Sequence, residues 1–305
     1  MPEVNHGPPK STTDRHLIVE GATALPILAA MAPPMLLAAE GGSSSESEST
    51  GSSPGEVIVI QSGDVTLSAY LARPAPSAAG GAGRQALVLC HGFPVTQAQD
   101  ATATGYHELA DRLAADTGWT VLTFSFRGTG RSGGNFSLGG WLADLQAASE
   151  ALRTTSGVEQ VWLCGFAAGG ALALCAAGED DRICGVASFA APADFGDRAA
   201  DARRFVAQAR GVGLIRDPKF PYDLDGWARQ LREIRPLSVI GKIPPRPVLI
   251  VHGSNDEVVP LLDARALADA AEGQLDLRVL VGAGHRLRHD PRAVALLIGW
   301  MDRQR

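Results

Sequence analysis

The sequence predicts an α/β fold: a mostly parallel, eight-stranded, doubly wound sheet entered through a hairpin and interrupted by a short helical insertion. Three observations predict it. From residue 56 onward, short apolar runs alternate with longer runs of helical periodicity. The central short runs, such as 86–90 and 161–164, are apolar at every position, as strands covered on both faces are. Several of these runs end in loops bearing Gly, His or Asp, at the edge where open α/β sheets place their sites.

Length and charge set the bounds. The chain has 305 residues, enough for one large domain plus a tail or insertion, and 45% hydrophobic content supports a sizeable core. Net charge is −6, with acids and bases interspersed, so no basic stripe points to nucleic acid. The four cysteines, Cys90, Cys164, Cys175 and Cys184, form no C-x-x-C pair. That argues against a zinc site or a disulfide framework, and they read as small buried hydrophobes. Cys90 and Cys164 end neighbouring predicted strands, which would set their sulfurs close together.

Residues 1–55 read as a disordered leader followed by a Ser/Gly/Glu-rich linker, and the folded domain as 56–305. Within the leader, 22–39 is apolar. Pro26, Pro33 and Pro34 interrupt it, Glu20 borders it, and no A-x-A cleavage site follows. The stretch is marginal as a membrane span. The expectation is a cytoplasmic protein without membrane attachment, with secretion or an N-terminal anchor as the alternative.

The elements then follow in order. Residues 57–60 and 65–71 form a strand pair around the Ser62-Gly63-Asp64 turn signal. Residues 74–84 are a loop and 86–90 a buried strand. A helix covers 106–116, its apolar positions at 109, 110, 113 and 114. A strand at 119–126 runs into a glycine-rich loop, 127–134. A helix spans 138–154, a strand 159–164, a helix 168–177 and a strand 183–190. Residues 191–238 are charged and loosely helical, broken by Gly and Pro. A strand at 247–252, a helix at 260–272, a strand at 275–281 and a helix at 291–303 complete the chain.

Four pieces carry chemistry. His91-Gly92-Phe93-Pro94 ends the third strand, and Gly165-Phe166-Ala167-Ala168-Gly169 turns the fifth strand directly into a helix. His252-Gly253-Ser254-Asn255-Asp256-Glu257-Val258-Val259-Pro260 follows the seventh strand, and Gly282-Ala283-Gly284-His285 the eighth. The second piece has the shape of a nucleophile elbow, G-x-S-x-G, in which a sharp strand-to-helix turn lifts one side chain over the sheet. Its centre here is Ala167, and a methyl group cannot attack a carbonyl.

Together the pieces resemble the α/β-hydrolase superfamily, with compact esterases and serine-peptidase-like hydrolases the nearest in kind, over about residues 56–303. The resemblance implies an α/β-hydrolase fold with a lid at about 191–238. It puts Ala167 at the nucleophile position, Asp256 at the acid and His285 at the base. It puts the oxyanion hole at the backbone N–H groups of Phe93 and Ala168, and Gly165 and Gly169 as the elbow glycines. The order nucleophile, acid, base is the one this fold uses. The implied chemistry is hydrolysis of a carboxylic ester, thioester or amide, on a small acyl-type substrate or ligand. No metal or organic cofactor is implied, and the oligomeric state and the substrate stay open.

Other histidines and glycines have plainer roles. His91 and His252 are expected to hold turn geometry, and His289 to lie at the surface. Gly128-Thr-Gly-Arg-Ser-Gly133 satisfies G-x-G-x-x-G, but no helix opens on its last glycine and no acid follows at the dinucleotide spacing. In the charged insertion, Arg198, Arg203, Arg204, Arg210, Arg216 and Lys219 form either a solvated face or a basic rim for anionic substrates. Phe205, Phe220, Tyr222 and Trp227 either line a pocket or pin the insertion down. Ser125 and Ser132 are the hydroxyls weighed as substitute nucleophiles. Three readings of Ala167 stay open: a serine hydrolase whose Ser was replaced by evolution or by an engineer, an enzyme using only Asp256 and His285, and a non-catalytic binding protein.

Overall fold

The computed structural model describes residues 55–75, 84–94 and 99–304, the side chains of 99–104 excepted. Apart from Gly55, the predicted leader and linker, with the apolar stretch 22–39, lie outside the described residues.

The hairpin forms as predicted. β1 (Glu56–Ser62) pairs antiparallel with β2 (Val65–Ala72), and Ser62 faces Val65 across a two-residue turn. Gly63 holds φ at +62°, a conformation glycine adopts without a Cβ clash. The remaining strands are β3 (Gln85–Cys90), β4 (Thr120–Phe124), β5 (Gln160–Phe166), β6 (Ile183–Phe189), β7 (Val248–Gly253) and β8 (Asp276–Leu280). They make one eight-stranded sheet in the order β1-β2-β4-β3-β5-β6-β7-β8. Every pairing from β4 to β8 is parallel, while β2 joins β4 antiparallel. The chain leaves β3 towards one edge and returns at β5 to build towards the other. The crevice between β3 and β5 is therefore the topological switch point, where such sheets bind ligands. β3, β4 and β7 are buried at every position, which is why their sequences lack polar alternation. β8 is an edge strand with Arg278 and Val279 exposed.

Helices cover both faces. α1 (Gln99–Thr117), α2 (Leu138–Arg153) and α3 (Ala168–Glu179) follow β3, β4 and β5. The insertion folds as α4 (Gly196–Ala200), α5 (Ala202–Gly211), α6 (Leu224–Glu233) and α7 (Pro236–Val239), and α8 (Leu261–Ala270) and α9 (Pro291–Asp302) complete the set. One apolar layer joins α2, α3, α8 and the insertion to the sheet, and the other joins α1 and α9 to its opposite face. α3 is buried from Ala168 to Gly178, so its sequence is apolar or small all round.

Two expectations need correction. Cys90 and Cys164 end adjacent strands, but Cys90 belongs to one apolar layer and Cys164 to the other. Cys90 pairs in register with Gly165 and Leu89 with Cys164, so strand alternation sends the two sulfurs to opposite faces. The strand predicted over 119–126 ends at Phe124. Phe126 leaves the ladder because its N–H donates to His91 Nε2 at 3.2 Å, while its ring stacks on Trp141 at 4.5 Å.

Backbone contacts tie the insertion to the connection between β4 and α2. Phe136 N–H donates to the Leu214 carbonyl and Trp227 Nε1 to the Phe136 carbonyl. Asn135 Oδ1 accepts from the N–H groups of Arg216 and Asp217, and Gln230 Oε1 accepts from Gly139. The Arg216 guanidinium donates to the carbonyls of Gly128, Gly130 and Ser132. Beneath this, Arg127 forms a two-pronged pair with Asp144, whose side chain is fully buried. Arg127 N–H also donates to Asp144 Oδ2 at 2.8 Å, so the carboxylate fixes the start of the loop.

Candidate active site

β5 turns into α3 without a linker, and Ala167 at the turn has φ 51° and ψ −121°. A residue with a Cβ adopts such a backbone only when its surroundings impose it. The surroundings here are glycines at closest approach. A Cβ on Gly165 would strike the carbonyl of Gly169, and one on Gly169 would strike the carbonyl of His91. α3 can thus sit directly on the ends of β3 and β5. Ala167 N–H donates to the Phe189 carbonyl at 2.8 Å, which pins the turn to β6.

The end of β3 meets the elbow. A Cβ on Gly92 would lie 2.9 Å from the Ala167 methyl and 3.6 Å from the Ala168 nitrogen. Phe93, the next residue, and Ala168 therefore flank one small space beside Ala167. No acceptor among the described residues takes the N–H of Phe93 or Ala168. Ala168 is also the first residue of α3, where the helix dipole is positive.

Asp256 and His285 come together from loops after β7 and β8. Ser254 N–H donates to the Leu280 carbonyl and Asn255 N–H to that of Ala283, which zips the two loops together. The side chain of Asp256 is fully buried and accepts from the N–H groups of Val258 and Val259 at 2.9 and 2.8 Å. His285 Nδ1 lies 2.9 Å from Oδ2 and 3.1 Å from Oδ1 of Asp256. A carboxylate only accepts, so Nδ1 carries a proton, and in the neutral ring this leaves the lone pair on Nε2. The His285 side chain is 24% exposed. An open cavity of about 610 Å³ runs along residues 283–292 and includes His285.

His91 and His252 are held structurally. His91 is buried, which pushes its pKa down to about 4 and keeps it neutral. Its Nδ1 donates to the Gly92 carbonyl at 2.7 Å and its Nε2 accepts from Phe126. His252 Nε2 donates to the Val259 carbonyl at 2.9 Å and lies 3.5 Å from Asp256 Oδ2. His289 is exposed and meets Arg288.

Of the two serines, Ser132 is buried and its hydroxyl is occupied. Ser132 Oγ donates to the Ser125 carbonyl and accepts from Ser68 N–H. Burial raises the pKa of both the Cys90 and the Cys164 thiol, so neither supplies a thiolate. In the 128–133 loop, carbonyls face Arg216, whereas a phosphate cradle needs N–H groups turned inwards. Among the described residues, no three metal-ligating side chains converge. No helix among them is long and apolar enough to cross a membrane.

The insertion supplies an aromatic bed beside Phe93. The Phe93 ring packs on Trp141, Phe136 and Phe205 at 4.9, 5.2 and 5.6 Å between centroids. Trp227 is buried against Phe136 and Phe205, whereas Tyr222 is 77% exposed. The four insertion aromatics thus divide, with Phe205 and Trp227 in the bed, Tyr222 outside it, and Phe220 half-buried against the core and in contact with Tyr222. Arg198 of α4 lies over this bed, 5.2 Å from the Phe93 ring and 4.9 Å from that of Phe205. No sequence signal singled it out among the arginines of the insertion.

A mostly parallel sheet that reverses its winding at β3/β5, with helices on both faces, has the α/β-hydrolase fold. A model described as "Alpha/beta hydrolase family" matches residues 87–296, and the chain belongs to that family. Two curated relatives, both the uncharacterized protein YfhR, come from Escherichia coli O157:H7 and strain K12. Each is 28% identical over 156 residues, 50% of this chain and 49% of the relative. The chain spans about half the length of the curated relatives it matches. Solved structures extend the likeness in fold. Est1E from Butyrivibrio proteoclasticus with ferulic acid bound has a TM-score of 0.59 at 22% identity, covering 81% of this chain and 97% of that one. The alpha/beta hydrolase GrgF from Penicillium sp. sh18 has a TM-score of 0.60 at 18% identity, covering 82% and 98%. An alpha-beta serine hydrolase homologue from Coxiella burnetii has a TM-score of 0.52 at 22% identity, covering 82% and 96%.

Proposed function

We propose that this chain binds small acyl-type molecules, namely carboxylic esters, thioesters or amides, over Ala167. The chemistry left to it is activation of water by His285. The observation that carries the reading is the Asp256–His285 hydrogen bond in a chain whose elbow side chain is a methyl group. Acyl-enzyme formation needs an oxygen or sulfur at the elbow, and Ala167 offers neither. Losing the nucleophile of a comparable triad lowers kcat about 10⁶-fold, or about 8 kcal/mol of barrier.

The remaining steps balance without a covalent intermediate. The substrate carbonyl oxygen accepts from the N–H groups of Phe93 and Ala168, each such donor being worth about 3–4 kcal/mol in a comparable site. His285 Nε2 takes a proton from water as the oxygen bonds to the carbonyl carbon. The tetrahedral species then expels the leaving group, which takes that proton from His285. Asp256 stays ionised and stabilises the imidazolium. The insertion acts as the lid of this pocket. The ferulic acid in a protein of similar fold supports a ligand of this size and acyl character.

The test is turnover of short p-nitrophenyl esters by this chain, its Ala167→Ser variant and its His285→Ala variant. Slow turnover by the chain, lost in His285→Ala and raised by orders of magnitude in Ala167→Ser, is the expected result. Turnover that survives His285→Ala refutes water activation by the dyad. Activity in Ala167→Ser alone makes the chain a binding protein on a hydrolase scaffold. Inactivity of all three refutes the assigned chemistry.

A further inference from the structure

Arg198 is placed unlike the other arginines of the insertion. Arg210 donates to the carbonyls of Pro218 and Phe220, Arg216 fills the 128–133 loop, and Arg235 pairs with Asp194. Arg203 and Arg204 are exposed to solvent. Arg198 is half-buried, and burial lowers its pKa from the ordinary value, although the guanidinium remains charged. Among the described residues, no carboxylate or carbonyl takes a hydrogen bond from its side chain. Its nearest acid in sequence, Asp197, is exposed. Asp197 attracts the guanidinium without taking a hydrogen bond from it, and the faces of Phe93 and Phe205 carry it.

Such contacts leave the rim of the guanidinium, with its five N–H donors, unused. A half-buried cation whose nearby acid is exposed and not hydrogen-bonded to it keeps a desolvation cost that a bound anion would offset. The location says where that anion would be. Phe93 is the residue whose ring carries Arg198 and whose backbone N–H is the proposed oxyanion donor. A ligand whose carbonyl sits at that N–H reaches Arg198 by crossing a single aromatic ring.

We infer that Arg198 reads a carboxylate on the acyl portion of the ligand, so that this site prefers monoesters or monoamides of short dicarboxylic acids over their neutral counterparts. The planar fork of arginine matches a carboxylate with two parallel bonds, and Phe93 and Phe205 pack against the methylenes between the two ends. The inference rests on the acyl-binding reading above, but it does not require turnover.

The experiment measures binding of two amides that resist hydrolysis, glutaric acid monoanilide and the neutral N-phenylpentanamide. Calorimetry is run on the chain as it is, on Arg198→Met and on Arg198→Lys. Thermal unfolding confirms that each variant is folded. The expected result is about 10- to 100-fold tighter binding of the monoanilide, the range of a charged hydrogen-bonded contact. Arg198→Met should bring the ratio of the two affinities to about one, and Arg198→Lys, which keeps the charge without the fork, should fall between. Equal affinities in the unaltered chain, a preference that survives Arg198→Met, or no binding of the monoanilide would each overturn the inference. Selective binding together with an inactive Ala167→Ser variant would leave Arg198 as assigned and sink the hydrolase reading instead. Turnover of neutral esters without selectivity would do the reverse.

Discussion

Replacing Ala167 with glycine should make the protein more stable, although it removes side-chain atoms beside the proposed site. Ala167 holds φ 51° and ψ −121°. A residue with a Cβ in a sparsely populated backbone region carries about 1–3 kcal/mol of strain. Glycine adopts the conformation without that clash but loses about 0.5–1 kcal/mol more entropy on folding. The methyl is only partly buried, so removing it forfeits less than the about 0.8 kcal/mol of a buried methylene. The balance is a gain of about 1 kcal/mol, seen as a rise of about 2–4 °C in Tm for a domain of this size. The control is Ala173→Gly in the middle of α3, fully buried in ordinary helix. There the glycine penalty and the lost burial add, for a fall of about 1–2 kcal/mol. Urea unfolding of both variants at constant m-value measures the difference. Equal losses in the two variants would refute the claim that the elbow is strained.

Three further outcomes follow from the same contacts. Asp144→Ala leaves the Arg127 guanidinium, 17% exposed, without its partner, and should destabilise the fold by about 3–5 kcal/mol in urea unfolding. His91 has a folded pKa of about 4 against an ordinary value of 6.5, so the unfolded chain takes up this proton first as pH falls. The stability from keeping it neutral is whole above about pH 6.5 and lost by about pH 4, some ~3 kcal/mol that should be missing from the pH dependence of His91→Gln. In the Ala167→Ser background, adding Asp256→Asn should lower ester turnover by about 10⁴-fold, because Nδ1 of His285 loses the acceptor that fixes its tautomer. A loss under tenfold would show that Asp256 does not orient the base.

Much of this was legible because it depends on local rules. The all-apolar runs at 86–90 and 247–252 became β3 and β7, since burial on both faces leaves no place for a polar position. The glycines at 165 and 169 marked a turn too tight for any Cβ, and the structure shows which carbonyls a Cβ would strike. The Asp256 and His285 loops were readable as pieces, and their hydrogen bond supplied the geometry. The unreadable parts depend on partners distant in sequence. Strand parity, not strand adjacency, decides where sulfurs point, and this separated Cys90 from Cys164. Phe126 left its strand for a histidine far upstream. Among the arginines of the insertion, one stacks on Phe93 while another fills a glycine loop, and composition alone does not distinguish them.

The bonds from Phe136, Asn135, Gly139 and Arg216 make the insertion and the β4–α2 connection one body. At about 0.5–1.5 kcal/mol each, breaking them together would leave an open form too rare to serve as the usual route of entry. In the proposed acyl site, the aromatic bed and Arg198 then form a fixed wall. Association should follow a single exponential whose rate rises linearly with ligand concentration, without the plateau that a swinging cover would impose.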